Sequence, residues 1–373
     1  MLLFLCSFAI FANAENLVTV TTDLGDIQGF HVDYGTDSSQ LYYGNADIFL
    51  GIPYVEPPLG DLRFAKPKPI TKFPQPMINA TSWKPACPQA EPCGTMKAPY
   101  DEDCLYLNVF APNGSRTPAN KAVMVFIHGG SFDSGCAQEY PYKAGVRTFV
   151  SQDVIVVTIQ YRLGFWGFFT TLTDDYPANR GLLDQIEALK WVQNNIAKFG
   201  GDPKKVTIFG ESAGSASVSA HSFSPLSRGL FAQTIQESGA ALTCLKTIAQ
   251  SVEQAGKLCG LTPAQFNGND FSSLAPCLKN RTTADILKYD EAWNMVFDNN
   301  FLNDTLENLG KKRPNLPAIL GNMRDEYTYF ILHRFYADLT LANLTRSFVE
   351  WTFRSEHQYM GDKMEEILAI LEQ

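Results

Sequence analysis

The chain contains no lysine- or arginine-rich cluster, and its 373 residues carry a net charge of −9. An anionic surface repels phosphate backbones and anionic lipid, so nucleic acid and membrane-surface partners are not expected. Beyond the first dozen residues no apolar run is long enough to cross a bilayer, which leaves no integral membrane segment to expect. None of the eight cysteines stands in C-x-x-C spacing, so neither a metal site nor a cofactor is expected. Internal repeats, low-complexity stretches and flexible linkers are also missing. The composition, 45% hydrophobic and 18% charged, excludes a disordered or fibrous chain and is ample for a large core.

Residues 1–14, MLLFLCSFAIFANA, carry no charge and close on Ala12-Asn13-Ala14. A short apolar run ending in an A-x-A site reads as a signal peptide cleaved before Glu15, although it has no positive n-region. Export predicts a secreted protein, and five N-x-S/T sequons agree, at Asn79, Asn113, Asn280, Asn303 and Asn343. With Cys6 removed in the leader, seven cysteines remain for an oxidising compartment, an odd count that leaves at least one thiol over.

Residues 17–32 predict two short strands about a Leu24-Gly25 turn, followed by Pro-rich loops up to about residue 120. Residues 122–127 (AVMVFI) and 154–159 (VIVVTI) are continuous apolar runs of the kind found in strands buried on both faces. Apolar residues from Leu182 to Phe199 recur at helical spacing, and Gly200-Gly201 and Pro203 stop the helix. A strand over 206–209, a tight turn and a small-residue helix from about Ala213 follow, with further strands at 231–236 and 317–320. Strands alternating with helices predict an α/β fold: a large, mostly parallel sheet with helices on both faces. One catalytic domain over residues 15–373 is the simplest organisation.

Gly210-Glu211-Ser212-Ala213-Gly214 matches G-x-S-x-G between a predicted strand and a predicted helix. Glycines there permit a sharp turn that lifts the serine hydroxyl above the sheet edge, and the helix N-terminus faces developing negative charge. Phe126-Ile127-His128-Gly129-Gly130-Ser131 follows the AVMVFI strand, where a glycine-rich loop can turn N–H groups toward a tetrahedral oxyanion. Each such donor contributes roughly 2.7–4 kcal/mol of barrier stabilisation.

With these motifs the chain resembles the type-B carboxylesterase/cholinesterase family, an α/β-hydrolase fold. The resemblance runs through residues 49–64 (FLGIPYVEPPLGDLRF), 102–108 (EDCLYLN), 126–132 (FIHGGSF), 161–168 (YRLGFWGF), 181–185 (GLLDQ) and 198–217 (KFGGDPKKVTIFGESAGSAS). It implies Ser212 as nucleophile, Gly130, Ser131 and Ala213 as the oxyanion hole, and a small-molecule carboxylic ester as substrate. Serine at 131, where the family has glycine or alanine, keeps the backbone donor and narrows the pocket. Residues 320–326 (LGNMRDE) resemble the acid-bearing turn, which makes Glu326 the orienting carboxylate, with Asp325 as the neighbouring alternative. Glu211 and Ser238 become candidates for a supporting buried polar network. Disulfides Cys87–Cys104 and Cys259–Cys277 and ion pairs Arg63–Glu102 and Arg162–Asp184 follow from the same resemblance. Cys93, Cys136 and Cys244 have no assigned partner, and one further bond among them leaves one free thiol.

The family's histidine lies well beyond the acid in a G-V-x-H-like motif, and the 47 residues after Glu326 contain none. Of the five histidines, His128 and His221 read as structural, and His31, His333 and His357 match no base position. A serine without a base retains only the roughly 10³–10⁴-fold catalysis of binding and oxyanion hole. The expectation is a chain of esterase lineage, incomplete at its C-terminus and lacking the last strands of the sheet, from a truncated gene model or a shortened isoform. The alternative is a non-catalytic secreted binding or adhesion protein. Cholinesterases hold the substrate's quaternary ammonium on a tryptophan in the first disulfide loop. Residues 88–103 contain no tryptophan, with Tyr100 their one aromatic residue, which favours neutral or general esters over choline esters. Oligomeric state is not legible.

Overall fold

The computed structural model describes residues 16–90, 93, 98–114, 116–289, 293–324 and 326. They fall into two units divided after Leu320. Residues 1–14, Asp325, His333, Asn343 and His357 lie outside the described residues.

The first unit is built on one large sheet. Its strands are β1 (Leu17–Thr22), β2 (Gly25–Asp33), β3 (Asn45–Pro53), β4 (Met77–Asn79), β5 (Tyr106–Pro112), β6 (Lys121–Ile127), β7 (Ile155–Ile159), β8 (Gly201–Glu211) and β9 (Gln233–Glu237). Strands β10 (Leu245–Lys246) and β11 (Met295–Val296) form a separate pair, and β12 (Ala318–Gly321) closes the described sheet. The spatial order is β1-β2-β3-β5-β7-β6-β8-β9-β12, with β4 on β2. The main helices are α1 (Tyr142–Thr148), α2 (Gly164–Phe168), α3 (Arg180–Asn195) and α4 (Ala213–Phe223).

Parallel pairing joins β7, β6, β8 and β9. The strands from β1 through β2, β3 and β5 to β7 pair antiparallel. The sheet is therefore mixed, and the parallel expectation holds only for its C-terminal half. The difference arises where Pro-rich loops were expected before residue 120: β3 and β5 form there. Both contain polar residues that blur a strand pattern, and the structure satisfies them internally. Buried Asn108 on β5 accepts from the Gly51 amide (2.9 Å) and donates to Thr158 Oγ1 (2.9 Å). Gly51 sits at φ 75° within a bulge between Phe49 and Ile52. A bulge frees one amide from the ladder, and the asparagine takes it up.

Alternate strand residues feed two cores. Ile48, Leu50, Phe110 and Val156 pack with Val146 of α1. Phe49, Val109, Val125, Val157 and Ile208 share the larger core with Leu189 and Val192 of α3 and Val218 of α4. The helical spacing from Leu182 becomes α3, and Gly200 at φ 93° ends the 3-10 turn that follows it.

Two ion pairs lie in and beside this core. Arg162 and Asp184, 1% and 0% exposed, form a bidentate pair at 2.7 and 2.8 Å, and Asp184 also accepts from the Arg162 amide. Arg63 holds Glu102 in the same way, at 2.5 and 2.7 Å. His221 on α4 is buried with both ring nitrogens engaged, Nδ1 with Ser227 Oγ and Nε2 with Gln185 Oε1, each at 2.8 Å. Gln185 of α3 donates onward to Ser217 Oγ (3.2 Å), which donates to Ala213 O (3.0 Å). Burial pushes the His221 pKa down to about 3, so the ring is neutral.

Disulfides join Cys87 to Cys104, Cys259 to Cys277 and Cys93 to Cys136, leaving Cys244 as the free thiol among the described residues. The first two close loops worth about 3 kcal/mol each in the chain-entropy model.

Two outcomes test these assignments. Asp184→Ala strands a buried guanidinium and should lower the unfolding free energy in urea by about 3–5 kcal/mol. His221 is neutral in the folded chain, whereas in the unfolded chain it titrates near its ordinary value of about 6.5. The unfolded state therefore binds the extra proton as pH falls below about 6.5, so stability is full above that value and declines toward pH 3. His221→Gln should flatten this acid limb by up to about one proton in a plot of unfolding free energy against pH.

Candidate active site

At the C-terminal end of β8 the chain reverses into α4 within one residue. That residue is Ser212, at φ 55° and ψ −121°, a conformation that a non-glycine side chain adopts only when its surroundings impose it. Three contacts do so. The Ser212 amide donates to Glu237 O at the end of β9 (2.9 Å), and Ser212 O accepts from Ala216 in the first turn of α4 (2.9 Å). A methyl group on Gly239 would collide with Ser212 O. Ser215 Oγ then donates to Gly239 O (2.7 Å), tying the residues after β9 to the helix.

The motif glycines are required by close main-chain approach. A methyl on Gly210 would lie 2.6 Å from Ile127 O, and one on Gly214 would overlap Ile127 O and sit 2.8 Å from His128 O. The elbow is thus pressed against the end of β6, where Gly129 and Gly130 begin the next loop. A methyl on Gly129 would reach Glu211 O at 2.6 Å and Ser212 Cβ at 3.1 Å. The structure therefore brings the glycine loop and the serine elbow together.

Within that loop Gly130, Ser131 and Phe132 all have positive φ, at 102°, 51° and 61°. Gly130 O accepts from the Asp133 and Ser134 amides (3.0 and 2.9 Å) and from Ser134 Oγ (3.1 Å). Ser131 O accepts from the Trp293 amide and Phe132 O from the Gly164 amide, at 3.0 and 2.7 Å. The amides of Gly130, Ser131 and Ala213 donate no hydrogen bond among the described residues. Ala213 begins α4, so its N–H belongs to the electropositive end of that helix.

None of the described histidines hydrogen-bonds Ser212. His128 is buried, its Nδ1 donates to Gly129 O (2.9 Å), and its ring stacks on Tyr161 at 4.5 Å. Tyr161 OH donates to His128 O (2.8 Å). Burial lowers the His128 pKa to about 4, so the ring is a neutral strut. His31 pairs with Asp47 across β2 and β3 (3.1 Å). The surroundings of the elbow are acidic. Burial raises the Asp133 carboxyl above its usual range. The Tyr140 hydroxyl is pushed up to about 12 by burial and by Glu139, Glu211 and Glu237.

Glu211 is an exposed residue and Ser238, at φ 56°, is half-buried. A buried polar network behind the elbow runs through Ser227, His221, Gln185 and Ser217. Gly239, which caps the elbow, was not singled out from the sequence because its role is to stay out of the way of a residue 27 positions earlier. Glu326 belongs to the second unit, half-buried, with Oε1 accepting from the Met323 amide (2.8 Å). Asn79, Asn113, Asn280 and Asn303 are all exposed. The one metal-ligand-like cluster among the described residues is Cys93, Cys136 and Glu139, and its two sulfurs are joined as a disulfide. No helix of the described residues is long and apolar enough to cross a membrane.

Known proteins are similar to this chain. Carboxylesterase 1C of Rattus norvegicus is 38% identical over 303 residues, 76% of this chain and 54% of the relative. Acetylcholinesterase of Bungarus fasciatus is 38% identical over 342 residues, 84% of this chain and 54% of the relative. Cocaine esterase of Oryctolagus cuniculus is 38% identical over 333 residues, 83% of this chain and 59% of the relative. The chain spans about half the length of these relatives. The model of the "Carboxylesterase family" matches residues 16–371, and with its α/β fold and serine elbow the chain belongs to that family.

Proposed function

We propose that the chain performs acyl transfer from a carboxylic ester to water, with Ser212 as nucleophile and the amides of Gly130, Ser131 and Ala213 as the oxyanion hole. The observation that carries this reading is the strained elbow at Ser212, packed against a glycine loop whose Gly130 and Ser131 amides donate to nothing among the described residues. Ser212 Oγ attacks the ester carbonyl and the negative charge moves to the carbonyl oxygen, which preorganised amides stabilise without reorganisation. Collapse expels the alcohol and leaves an acyl-serine, which water hydrolyses.

The base in this scheme is a histidine oriented by Glu326, a role that rests on the family resemblance. None of the three histidines among the described residues hydrogen-bonds Ser212. The described residues by themselves would therefore supply only the residual catalysis of binding and oxyanion hole, roughly 10³–10⁴-fold over water. The same observation favours the second reading, a secreted binding protein that retains an esterase scaffold.

Neutral esters fit better than choline esters, because residues 88–103 contain no tryptophan and Tyr100 is exposed. Secretion with glycosylation at Asn79, Asn113, Asn280, Asn303 and Asn343 is supported by the A-x-A leader, three disulfides and the exposure of the four described sequons.

A fluorophosphonate probe should label Ser212, slowly where no base activates the hydroxyl, and Ser212→Ala should abolish labelling. With p-nitrophenyl acetate the expected trace is a burst of about one equivalent followed by slow turnover, as acyl-enzyme accumulation requires. A folded chain that takes up no probe would overturn acyl transfer and leave the binding protein.

A further inference from the structure

We propose that the Cys93–Cys136 disulfide and the Gln89 side chain form a positioning clamp that sets the direction of the Ser131 N–H. The proposal rests on the acyl-transfer reading for its catalytic consequence, whereas the clamp itself rests on geometry.

Three consecutive residues behind the oxyanion loop are anchored from three different places. Gly135 is gripped on both sides of its backbone by Gln89, whose Oε1 accepts from the Gly135 amide and whose Nε2 donates to Gly135 O, each at 3.0 Å. Gln89 is 1% exposed and also donates to Cys87 O (3.1 Å), next to the Cys87–Cys104 disulfide. Cys136, fully buried, is bonded to Cys93. The Ala137 amide donates to Gln160 Oε1 at 3.1 Å. The bonded pair sits with Ala86 in a small core of its own, so the clamp is not an extension of the main core.

What the clamp holds is the wall against which the glycine loop rests. A methyl on Gly135 would overlap Gly129 O and lie 2.7 Å from His128 Nδ1, and one on Gly130 would lie 2.7 Å from Ser134 C and 2.9 Å from Ser134 Oγ. Ser134 and Asp133 place three hydrogen bonds on Gly130 O. The Gly130 carbonyl and the Ser131 N–H belong to one rigid, planar peptide unit. Donors fixed on its oxygen therefore fix the opposite bearing of its N–H. The path from clamp to donor is short: Gln89 and Cys93 hold Gly135 and Cys136, these hold Ser134, Ser134 holds the Gly130 carbonyl, and that carbonyl aims the Ser131 amide.

Loss of the clamp should act on the transition state more than on ester binding, because the oxyanion donor is needed most when charge develops. In the residual regime the oxyanion hole supplies much of the remaining rate, so the effect is read directly. Single-turnover acylation by p-nitrophenyl acetate separates the saturating rate constant from the half-saturating concentration. In the full chain carrying Cys93→Ser and Cys136→Ser, the rate constant should fall by about tenfold or more, with half-saturation within about twofold. Gln89→Ala, which keeps all three disulfides, should lower the rate constant in the same way and carries the test if the double variant does not fold. Cys259→Ser with Cys277→Ser is the structural control, expected to lower the melting temperature while leaving the acylation rate constant within about twofold. Hydrogen exchange over residues 128–136 gives a readout independent of chemistry and should accelerate by at least about tenfold in the clamp variants but not in the control. Unchanged acylation in folded clamp variants, or an equal loss in the control, overturns the proposal. If the wild-type chain shows no burst, acyl transfer fails, and the exchange rates still decide whether the clamp exists, unchanged exchange refuting it.

Discussion

The site depends on one constraint, the contact of two main chains at the C-terminal ends of β6 and β8. The parallel register pairs Ile127 with Gly210, so the two strands finish level and their exits compete for the same space. Gly129, Gly210 and Gly214 resolve the competition by having no Cβ to place between the chains. With the backbones that close, the only way from β8 into α4 is the left-handed turn at Ser212. Such a conformation costs on the order of 1–3 kcal/mol and persists only where packing over-determines it. The Glu237 carbonyl, the first turn of α4 and Gly239 supply that over-determination. The serine hydroxyl, the helix N-terminus and the glycine loop converge as a consequence of this one contact.

The interior around the contact is polar, and its groups are satisfied or neutral. Asp184 neutralises Arg162, and the Arg180 guanidinium donates to the carbonyls of Phe165, Trp166 and Pro177. Both buried histidines near the elbow stay uncharged, because burial disfavours the imidazolium. Their work is geometric: His221 links α3 to α4, and His128 links the glycine loop to Tyr161. A histidine close to a nucleophile in sequence is thus no evidence of a base. The hydrogen-bond partners decide: both nitrogens of His221 are taken, whereas His128 spends Nδ1 on Gly129 O and its buried Nε2 has no partner among the described residues.

Membership of the carboxylesterase family follows from the length and strength of the sequence match, whereas the catalytic role of each residue rests on the proposed chemistry. The described part contributes a serine-bearing elbow pressed against a glycine loop.

The amino-acid sequence alone determined what depends on neighbours along the chain. The β1–β2 hairpin, the buried runs of β6 and β7, the amphipathic α3 and the glycine-bracketed serine were all legible, because period, turn chemistry and steric need are local properties. Tertiary structure alone decided what depends on residues far apart. β3 and β5 are strands because Asn108 repairs a bulge at Gly51, more than 50 residues away, and their pairing makes the sheet mixed. Cys136 chose Cys93 over Cys244 because only folding brings those side chains together. The buried network behind the elbow passes through His221, because burial is set by which surfaces meet, and no single stretch of chain carries that information.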